Sequence, residues 1–383
     1  MRIKVAHVVT RLDLGGAQQN TLHTVRRLDP GRFDAFLVCG EGGYFDAEVR
    51  ADPGLRAIFL DSLAREVSPL RDLLALLELW NVFQRERPDV VHTHSSKAGI
   101  LGRAAAALAG VPVVIHTYHG FGFHDRQNPA VKAAYVFLER LCARFTTRLV
   151  YVSHSNARYA ERHGLGDASH ALIIRSGVRL ADYPAAVDSA AFKMSAGIGR
   201  HKQVVLSIGN LKPQKNAADF VAVAAKVAAR VPEARFVFLG DGPQRRALEA
   251  RAFALRVGDK VHFLGWRRDG AQWLAACDVF ALTSLWEGLP RALVEAMLTG
   301  LPSVCYATDG VTDLLRDGEN GKLVAPGDVD AFADRLTELL QDEALRRRLG
   351  TAAAATVGPE FDIDGMVRAQ EELYKSLTAA RRG

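Results

Sequence analysis

The sequence predicts an α/β protein made of two doubly wound parallel sheets. Three observations carry this. Short β-branched runs alternate with longer segments of helical periodicity, as parallel strands joined by helical crossovers require. The alternation runs through the first half of the 383 residues, breaks, and restarts in the second half. The composition, 49% hydrophobic and 24% charged, is that of a globular chain long enough for two domains.

In the first half, Val5–Val9, Phe36–Cys39, Val90–His94, Val113–Thr117 and Leu149–Val152 read as buried strands. Ala17–Leu28, Pro69–Glu86, Gly99–Ala109, Val131–Phe145 and Ser155–His163 read as the helices between them. In the second half the strands are Val204–Ile208, Phe236–Leu239, Val261–Phe263, Val279–Ala281 and Ser303–Cys305. Their helices are Asn216–Val231, Arg245–Val257, Leu289–Thr299 and Ala331–Leu340. The stretch Ser176–Gly199 lacks long periodicity and reads as the linker, while Gly358-Pro359 breaks the chain before a last helix, Asp364–Ala379. The expected organisation is a first domain over 1–185, a second over 200–358 and a C-terminal segment over 359–383.

No export signal is read at the N-terminus, where a short apolar run breaks at Arg11 and Asp13. The longest apolar stretch, Ala98–Ile115, contains Arg103, glycines and Pro112, and reads as a helix and strand rather than a membrane span. Cys39, Cys142, Cys277 and Cys305 form no CxxC pair and are expected as reduced core residues of a cytoplasmic protein. The net charge of +6 lies in one segment: residues 101–180 hold 10 basic and 4 acidic side chains, and the flanking regions balance. Within it Lys132, Arg140, Arg144 and Arg148 fall at helical spacing, with Val131, Leu138, Cys142 and Phe145 as the expected buried face. Such a stripe suits an anionic membrane surface as well as a plain solvated one. No nucleic-acid module is visible, so nucleic acid is not an expected partner.

Ligands of open parallel sheets bind beyond the carboxyl ends of the strands, which directs attention to the loops there. Gly15-Gly16 precedes the first helix and serves either as a tight turn or as an approach for an anion to helix amides. It is not a GxGxxG fingerprint, which disfavours a bound dinucleotide. His92 and His94 share a strand face and could hold a metal, but the sequence places no third ligand. His119, before Gly120, is either a cleft residue or a satisfied structural histidine. Lys215 lies at the start of a helix, where a phosphate could meet both its ammonium and backbone amides. Glu287 in a turn and Glu295 in the following helix are separated by seven residues, and carboxylates accept paired hydrogen bonds from vicinal hydroxyls. Asp328-Val-Asp330 and Asp362-Ile-Asp364 stand before helices and read as caps rather than metal ligands.

The string Glu287-Gly-Leu-Pro290 followed by Glu295-Ala-Met resembles the signature of family 4 retaining glycosyltransferases. Gly209-x-Leu-x-x-x-Lys215-Asn216, Gly240-Asp-Gly-Pro243, Phe263-Leu-Gly-Trp266 and Asp317-Gly-Glu-Asn-Gly321 follow in that family's order. Gly15-Gly16, Val91-His-Thr-His94-Ser-Ser-Lys97-Ala-Gly and His119-Gly-Phe extend the likeness through the first half.

The resemblance implies the GT-B architecture, two Rossmann-like domains facing across a cleft, with the last helix crossing back onto the first. It implies a retaining, hexosyltransferase-type enzyme without metal or cofactor, whose co-substrate is a nucleotide-sugar, UDP being the expected nucleotide. By the same resemblance, Glu295 holds the ribose and Glu287, Gly288, Leu289 and Pro290 meet the donor sugar and phosphates. Lys215 neutralises the diphosphate, Gly16 brings amides to it, and Asn210, Gly240 and Trp266 line the donor site. His119 lies beside the transferred sugar. The acceptor implied is a glycan or a lipid-diphosphate-linked saccharide of bacterial surface polysaccharide, met on the inner face of the cell membrane. Two positions depart from the family: Asn210 stands where Arg is common, with Lys212 nearby, and the usual Gly-Gly-x-x-Glu loop reads Asp309-Gly310-Val-Thr-Asp313. A sugar-nucleotide epimerase of similar fold and a catalytically silent nucleotide-sugar sensor are the alternatives.

Overall fold

A computed structural model describes residues 2–166, 171–183 and 187–382. The elements run β1 (Ile3–Arg11), α1 (Gly16–Arg27), β2 (Phe33–Gly40), α2 (Asp46–Ala51), β3 (Ala57–Leu60), α3 (Pro69–Glu86), β4 (Val90–His94), α4 (Ser96–Leu108), β5 (Val113–Tyr118), α5 (Pro129–Ala143), β6 (Arg148–Tyr151), α6 (His154–Arg162) and β7 (Leu172–Ile173). They continue with α7 (Ser189–Ser195), β8 (Gln203–Ile208), α8 (Ala217–Arg230), β9 (Ala234–Leu239), α9 (Arg245–Ala254), β10 (Val261–Gly265), α10 (Gly270–Ala276), β11 (Val279–Leu282), α11 (Arg291–Leu298), β12 (Ser303–Tyr306), α12 (Asp309–Thr312), β13 (Lys322–Val324), α13 (Val329–Gln341), α14 (Glu343–Thr356) and α15 (Ile363–Arg382).

The chain forms two compact units, residues 1–177 with 363–383, and residues 178–362. Residues 178–185 and 359–362 therefore belong to the second unit, not to the first domain and the C-terminal segment as expected. The stretch read as a linker contains α7, whose Phe192 packs edge-on against Trp273 with ring centroids 5.1 Å apart.

The first unit is a seven-stranded sheet in the order β3-β2-β1-β4-β5-β6-β7, and the second a six-stranded sheet in the order β10-β9-β8-β11-β12-β13. Every pairing between these strands is parallel. In each sheet the direction of winding reverses next to the first strand, between β1 and β4 and between β8 and β11. There the flanking loops part and leave a crevice at the carboxyl ends.

The strands are continuous hydrophobic runs because helices cover both faces. Val205, Phe236, Phe238 and Ala281 pack under Phe220, Val223 and Val227 of α8 and Phe332 and Leu336 of α13, all buried. Burying one such aromatic or aliphatic side chain contributes roughly 1.5–3 kcal/mol. In the first unit, α15 closes one face of the sheet, its Met366, Val367 and Tyr374 packing with Val5, Phe33, Val90 and Val113. The short strands β3, β7 and β13 and the helices α2, α7, α10, α12 and α14 are absent from the sequence reading. Their two- to seven-residue runs, and the alanine-rich α14, carry too little periodicity to register.

α5 corrects a specific expectation. Val131 and Leu138 are exposed at 44% and 39%, as are Phe137 and Leu141, while Val136, Glu139 and Cys142 face inward. Arg148 begins β6 rather than continuing the helix. The buried face turns toward α4, where Glu139 pairs with buried Arg103 at 2.5 Å and accepts from Tyr118 at 2.7 Å. Among the described residues no helix is long and apolar enough to cross a membrane.

Candidate active site

In the second unit, β8 ends at Ile208 and the chain passes through Gly209–Asn216 before α8 begins. A Cβ on Gly209 would stand 2.9 Å from Cε of Lys215, so this glycine makes room for the lysine stem. Asn216 adopts φ +46° between the single turn Pro213–Lys215 and α8, a left-handed conformation that asparagine tolerates better than most residues.

This loop is fastened to the one after β11. The Thr283 hydroxyl lies 3.1 Å from the carbonyls of both Lys215 and Asn216, Gln214 Nε2 donates to the Trp286 carbonyl at 2.9 Å, and the Leu285 amide donates to the Gln214 carbonyl at 2.8 Å. The result brings Lys215 Nζ to 2.5 Å from Glu287 Oε1, at the point where the strand order reverses. Both side chains are largely buried, at 17% and 7% exposure. An ammonium held by one carboxylate retains donors for an incoming anion.

The turn Gly288–Pro290 continues from Glu287 into α11. It rests on the loop after β12: a Cβ on Gly310 would stand 2.0 Å from the Gly288 carbonyl oxygen. Leu289 is buried and Pro290 precedes the first residue of α11. One turn into that helix, Glu295 lies 3.3 Å from Arg291. Burial raises the Glu295 carboxyl above the usual range, against the opposing pull of Arg291 and a hydrogen bond from Tyr183. Tyr183 has no counterpart in the sequence reading. It lies within Ser176–Gly199, and no local pattern points from it to Glu295.

Gly240 sits at φ +139°, and a Cβ there would lie 1.8 Å from the Gly209 carbonyl oxygen and 3.4 Å from the Trp266 ring. Trp266 is 38% exposed and Asn210 is half-buried, its carbonyl accepting from the Lys212 amide at 2.9 Å. The structure thus gathers Lys215 with Glu287, Gly288 with Gly310, and Gly240 with Gly209 and Trp266.

In the first unit, Gly16 opens α1 behind extended Gly15. His119 follows β5 and is half-buried, its Nε2 3.1 Å from Nδ1 of His94. The third histidine missing from the sequence reading is His7 on β1, which pairs in register with His92 on β4. One ligand atom from each of His7, His92 and His94 lies within 4.8 Å of the others. Those nitrogens are already engaged. His94 Nε2 meets His7 Nδ1 at 3.1 Å, and His92 contacts Thr117 at 2.7 Å and Tyr374 at 2.6 Å. With no carboxylate in the trio and burial holding all three rings far toward the neutral form, His7 down to about 3, this is a network of neutral rings.

Asp328 caps α13 by accepting from the Ala331 amide at 2.9 Å. Asp364 pairs with His23 at 2.8 Å. The four cysteines are free thiols, three of them buried.

Two Rossmann-like sheets, each with its polar residues collected where the winding reverses, are the GT-B fold of nucleotide-sugar enzymes. Comparison with known proteins completes the assignment. Residues 188–356 match the family Glycosyl transferases group 1, and residues 15–177 match the Glycosyl transferase 4-like domain. The chain is 35% identical over 348 residues to UDP-Gal:alpha-D-GlcNAc-diphosphoundecaprenol alpha-1,3-galactosyltransferase of Escherichia coli, covering 90% of this chain and 89% of that protein. It is 25% identical to N,N'-diacetylbacillosaminyl-diphospho-undecaprenol alpha-1,3-N-acetylgalactosaminyltransferase of Campylobacter jejuni, covering 86% and 88%. Among solved structures, Anabaena HepE in complex with UDP and glucose superposes with a TM-score of 0.84 at 21% identity, over 98% of this chain and 100% of that one. The chain belongs to the group 1 glycosyltransferases, and this membership displaces the epimerase alternative.

Proposed function

We propose that this enzyme transfers a sugar from a UDP-sugar to a lipid-diphosphate-linked saccharide during bacterial surface-polysaccharide synthesis, with retention at the anomeric carbon and without a metal. The observation that carries the reading is Lys215 beside Glu287 where the second sheet reverses, with Glu295 one helical turn beyond. The Escherichia coli and Campylobacter relatives, both named for acceptors on diphosphoundecaprenol, support the acceptor class.

In this mechanism the acceptor hydroxyl attacks the anomeric carbon on the face from which the diphosphate departs. The bond to the β-phosphate oxygen breaks, and that oxygen takes the acceptor's proton. Negative charge grows on the diphosphate, so a preorganised cation contributes most of the stabilisation the protein can offer. Within the second unit Lys215 supplies it, Trp266 lines the donor, Glu287 and Gly288–Pro290 meet the sugar, and Glu295 accepts from the ribose hydroxyls; the donor roles of Gly16 and His119, in the first unit, rest on the family resemblance alone. Incubation with labelled UDP-sugars and a diphosphoundecaprenol-linked N-acetylglucosamine acceptor tests the reading. UDP release with an α-linked product and full activity in EDTA are expected. A β-linked product overturns retention, and binding without turnover favours the silent sensor.

The acceptor lies in a membrane, and the first unit carries a face suited to one. Leu70, Leu73, Leu74 and Leu77 of α3 are exposed at 47–80%, and Val131, Phe137, Leu138 and Leu141 of α5 at 39–66%. α4 packs against both helices. Arg140 and Arg144 are exposed on and just after α5. Apolar side chains with flanking arginines match an anionic bilayer on the inner face of the cell membrane, the first by insertion and the second by headgroup attraction.

A further inference from the structure

Asn216, which follows Lys215, is the N-cap of α8. An asparagine there ordinarily keeps an extended backbone and accepts a hydrogen bond from a first-turn amide through its side chain. Asn216 does neither: its backbone is left-handed, at φ +46° and ψ +47°, and its side chain caps no amide. Instead its Nδ2 donates to Asp219 Oδ2 at 2.6 Å, three residues on in the first turn of the helix. The same oxygen accepts from the Tyr306 hydroxyl at 2.8 Å, and Tyr306 is a fully buried residue of β12.

A carboxylate only accepts, so the amide group and the phenol must both donate to it. A left-handed backbone is disfavoured for any residue with a Cβ and persists where the surroundings over-determine it. Two sets of contacts do so here. After β11, the Thr283 hydroxyl lies 3.1 Å from the carbonyls of both Lys215 and Asn216. From β12, Tyr306 anchors Asp219, which in turn holds the Asn216 side chain. The left-handed residue ends the single turn Pro213–Lys215 and swings the chain into α8, and so sets the direction in which the Lys215 side chain leaves the backbone. That direction carries Nζ to Glu287.

We propose that Asp219 and Tyr306 are positioning residues that act through Asn216 to aim the Lys215 ammonium at the departing diphosphate. Both donors meet the single oxygen Oδ2 of Asp219, so an amide carbonyl in its place could receive them equally. What Asp219 supplies is therefore an acceptor in a fixed place, more than a charge. The diphosphate rests on the glycosyltransferase reading above; the placement of the ammonium does not.

The experiment is a mutant cycle in the full chain, read in kcat. Asp219→Ala is expected to lower kcat about tenfold, the factor one charge-assisted hydrogen bond is worth, with KM for the UDP-sugar within about twofold. Asp219→Asn, which keeps a carbonyl oxygen for both donors, is expected to bring kcat back to within about threefold of wild type. A residue that acts through Lys215 has nothing to act on once the lysine is gone. In a Lys215→Ala background Asp219→Ala should therefore cost less than about twofold more, whereas an independent structural loss would multiply. Tyr306→Phe is the second variant should Asp219→Ala fail to fold, and it is expected to lower kcat in the same way. Asp342→Ala is the control: it removes the cap that accepts from the Leu345 amide of α14, far from Lys215 in the chain, and should leave kcat within about twofold. A full tenfold loss in the Lys215→Ala background, no rescue by Asp219→Asn, or an equal loss in the Asp342 control overturns the proposal. A crystal structure of Asp219→Ala is expected to show Asn216 out of the left-handed region and Lys215 Nζ beyond about 4 Å from Glu287, outside ion-pair range. An unchanged Lys215–Glu287 pair there overturns the proposal. If the wild type lacks turnover with every donor, the glycosyltransferase reading fails while that structure still decides this one.

Discussion

Lys215 Nζ and Glu287 Oε1 meet at 2.5 Å, each contributed by a loop that leaves a neighbouring strand where the second sheet reverses its winding. The two carboxyl-end loops are hydrogen-bonded to each other through Gln214 and Thr283, so the cation is held in place before any anion arrives. Preorganisation of this kind is what lets a charge act on a transition state without reorganising during the reaction.

Lys215→Ala is expected to lower kcat by roughly 10²–10³, as loss of one preorganised stabilising group does. It also strands Glu287 in a largely buried place, at a cost of about 3 kcal/mol. The double variant Lys215→Ala with Glu287→Gln should regain much of that stability in a denaturant titration but none of the rate.

Glu295 should impose a pH dependence on donor binding. Its carboxyl is raised by burial, so on acidification it takes up a proton earlier than an ordinary glutamate would. In the role proposed for Glu295, only the carboxylate can accept from both ribose hydroxyls. KM for the UDP-sugar is therefore expected to rise as the pH falls toward mildly acidic values, and Glu295→Gln should show a higher but flat KM across the same range.

The buried histidines make the fold acid-sensitive. His7 titrates near 3 when folded and near its ordinary 6.5 when unfolded, so between these values the unfolded chain binds the extra proton. Its contribution is fully present above about 6.5 and is lost progressively as the pH falls toward 3. The urea midpoint should drop between pH 7 and 5, and less steeply in His7→Asn.

Gly310→Ala tests the support beneath the donor turn. The added methyl would stand 2.0 Å from the Gly288 carbonyl oxygen, and the backbone there must move. A donor KM about tenfold higher, measured by initial rates, is expected from a misplacement worth about 1.4 kcal/mol.

Membrane docking is tested by Leu73→Glu with Leu77→Glu on α3, and separately by Phe137→Glu on α5. Losing the burial of one such side chain, roughly 2 kcal/mol, should weaken co-sedimentation with anionic vesicles by more than tenfold. Activity on a short water-soluble acceptor should persist in the same variants.

Much of this was legible in the chain. Lys215, Glu287 and Glu295 stand out because loops at strand ends and the first turn of a helix are local features, readable from spacing. The pairing of Lys215 with Glu287 was not legible, since the fastening runs through Gln214 and Thr283, whose residue types are unremarkable. Tyr183 beside Glu295 and His7 beside His92 escaped for the same reason: a partner supplied by a distant segment leaves no mark in the window that contains its target.

α5 marks the boundary between what the sequence decides and what packing decides. Alternating strand and helix periods by themselves determined two doubly wound sheets, because each element's pattern depends only on its own residues. Which side of α5 faces the core was not determined in that way. Its apolar residues occupy more than one side, and the buried Arg103–Glu139 pair turns Val136 and Cys142 inward and leaves Phe137 and Leu138 in solvent. The histidine network is likewise a property of tertiary structure alone: His7 comes from one strand and His92 and His94 from another, and they meet Tyr374 only because packing lays the last helix on the sheet.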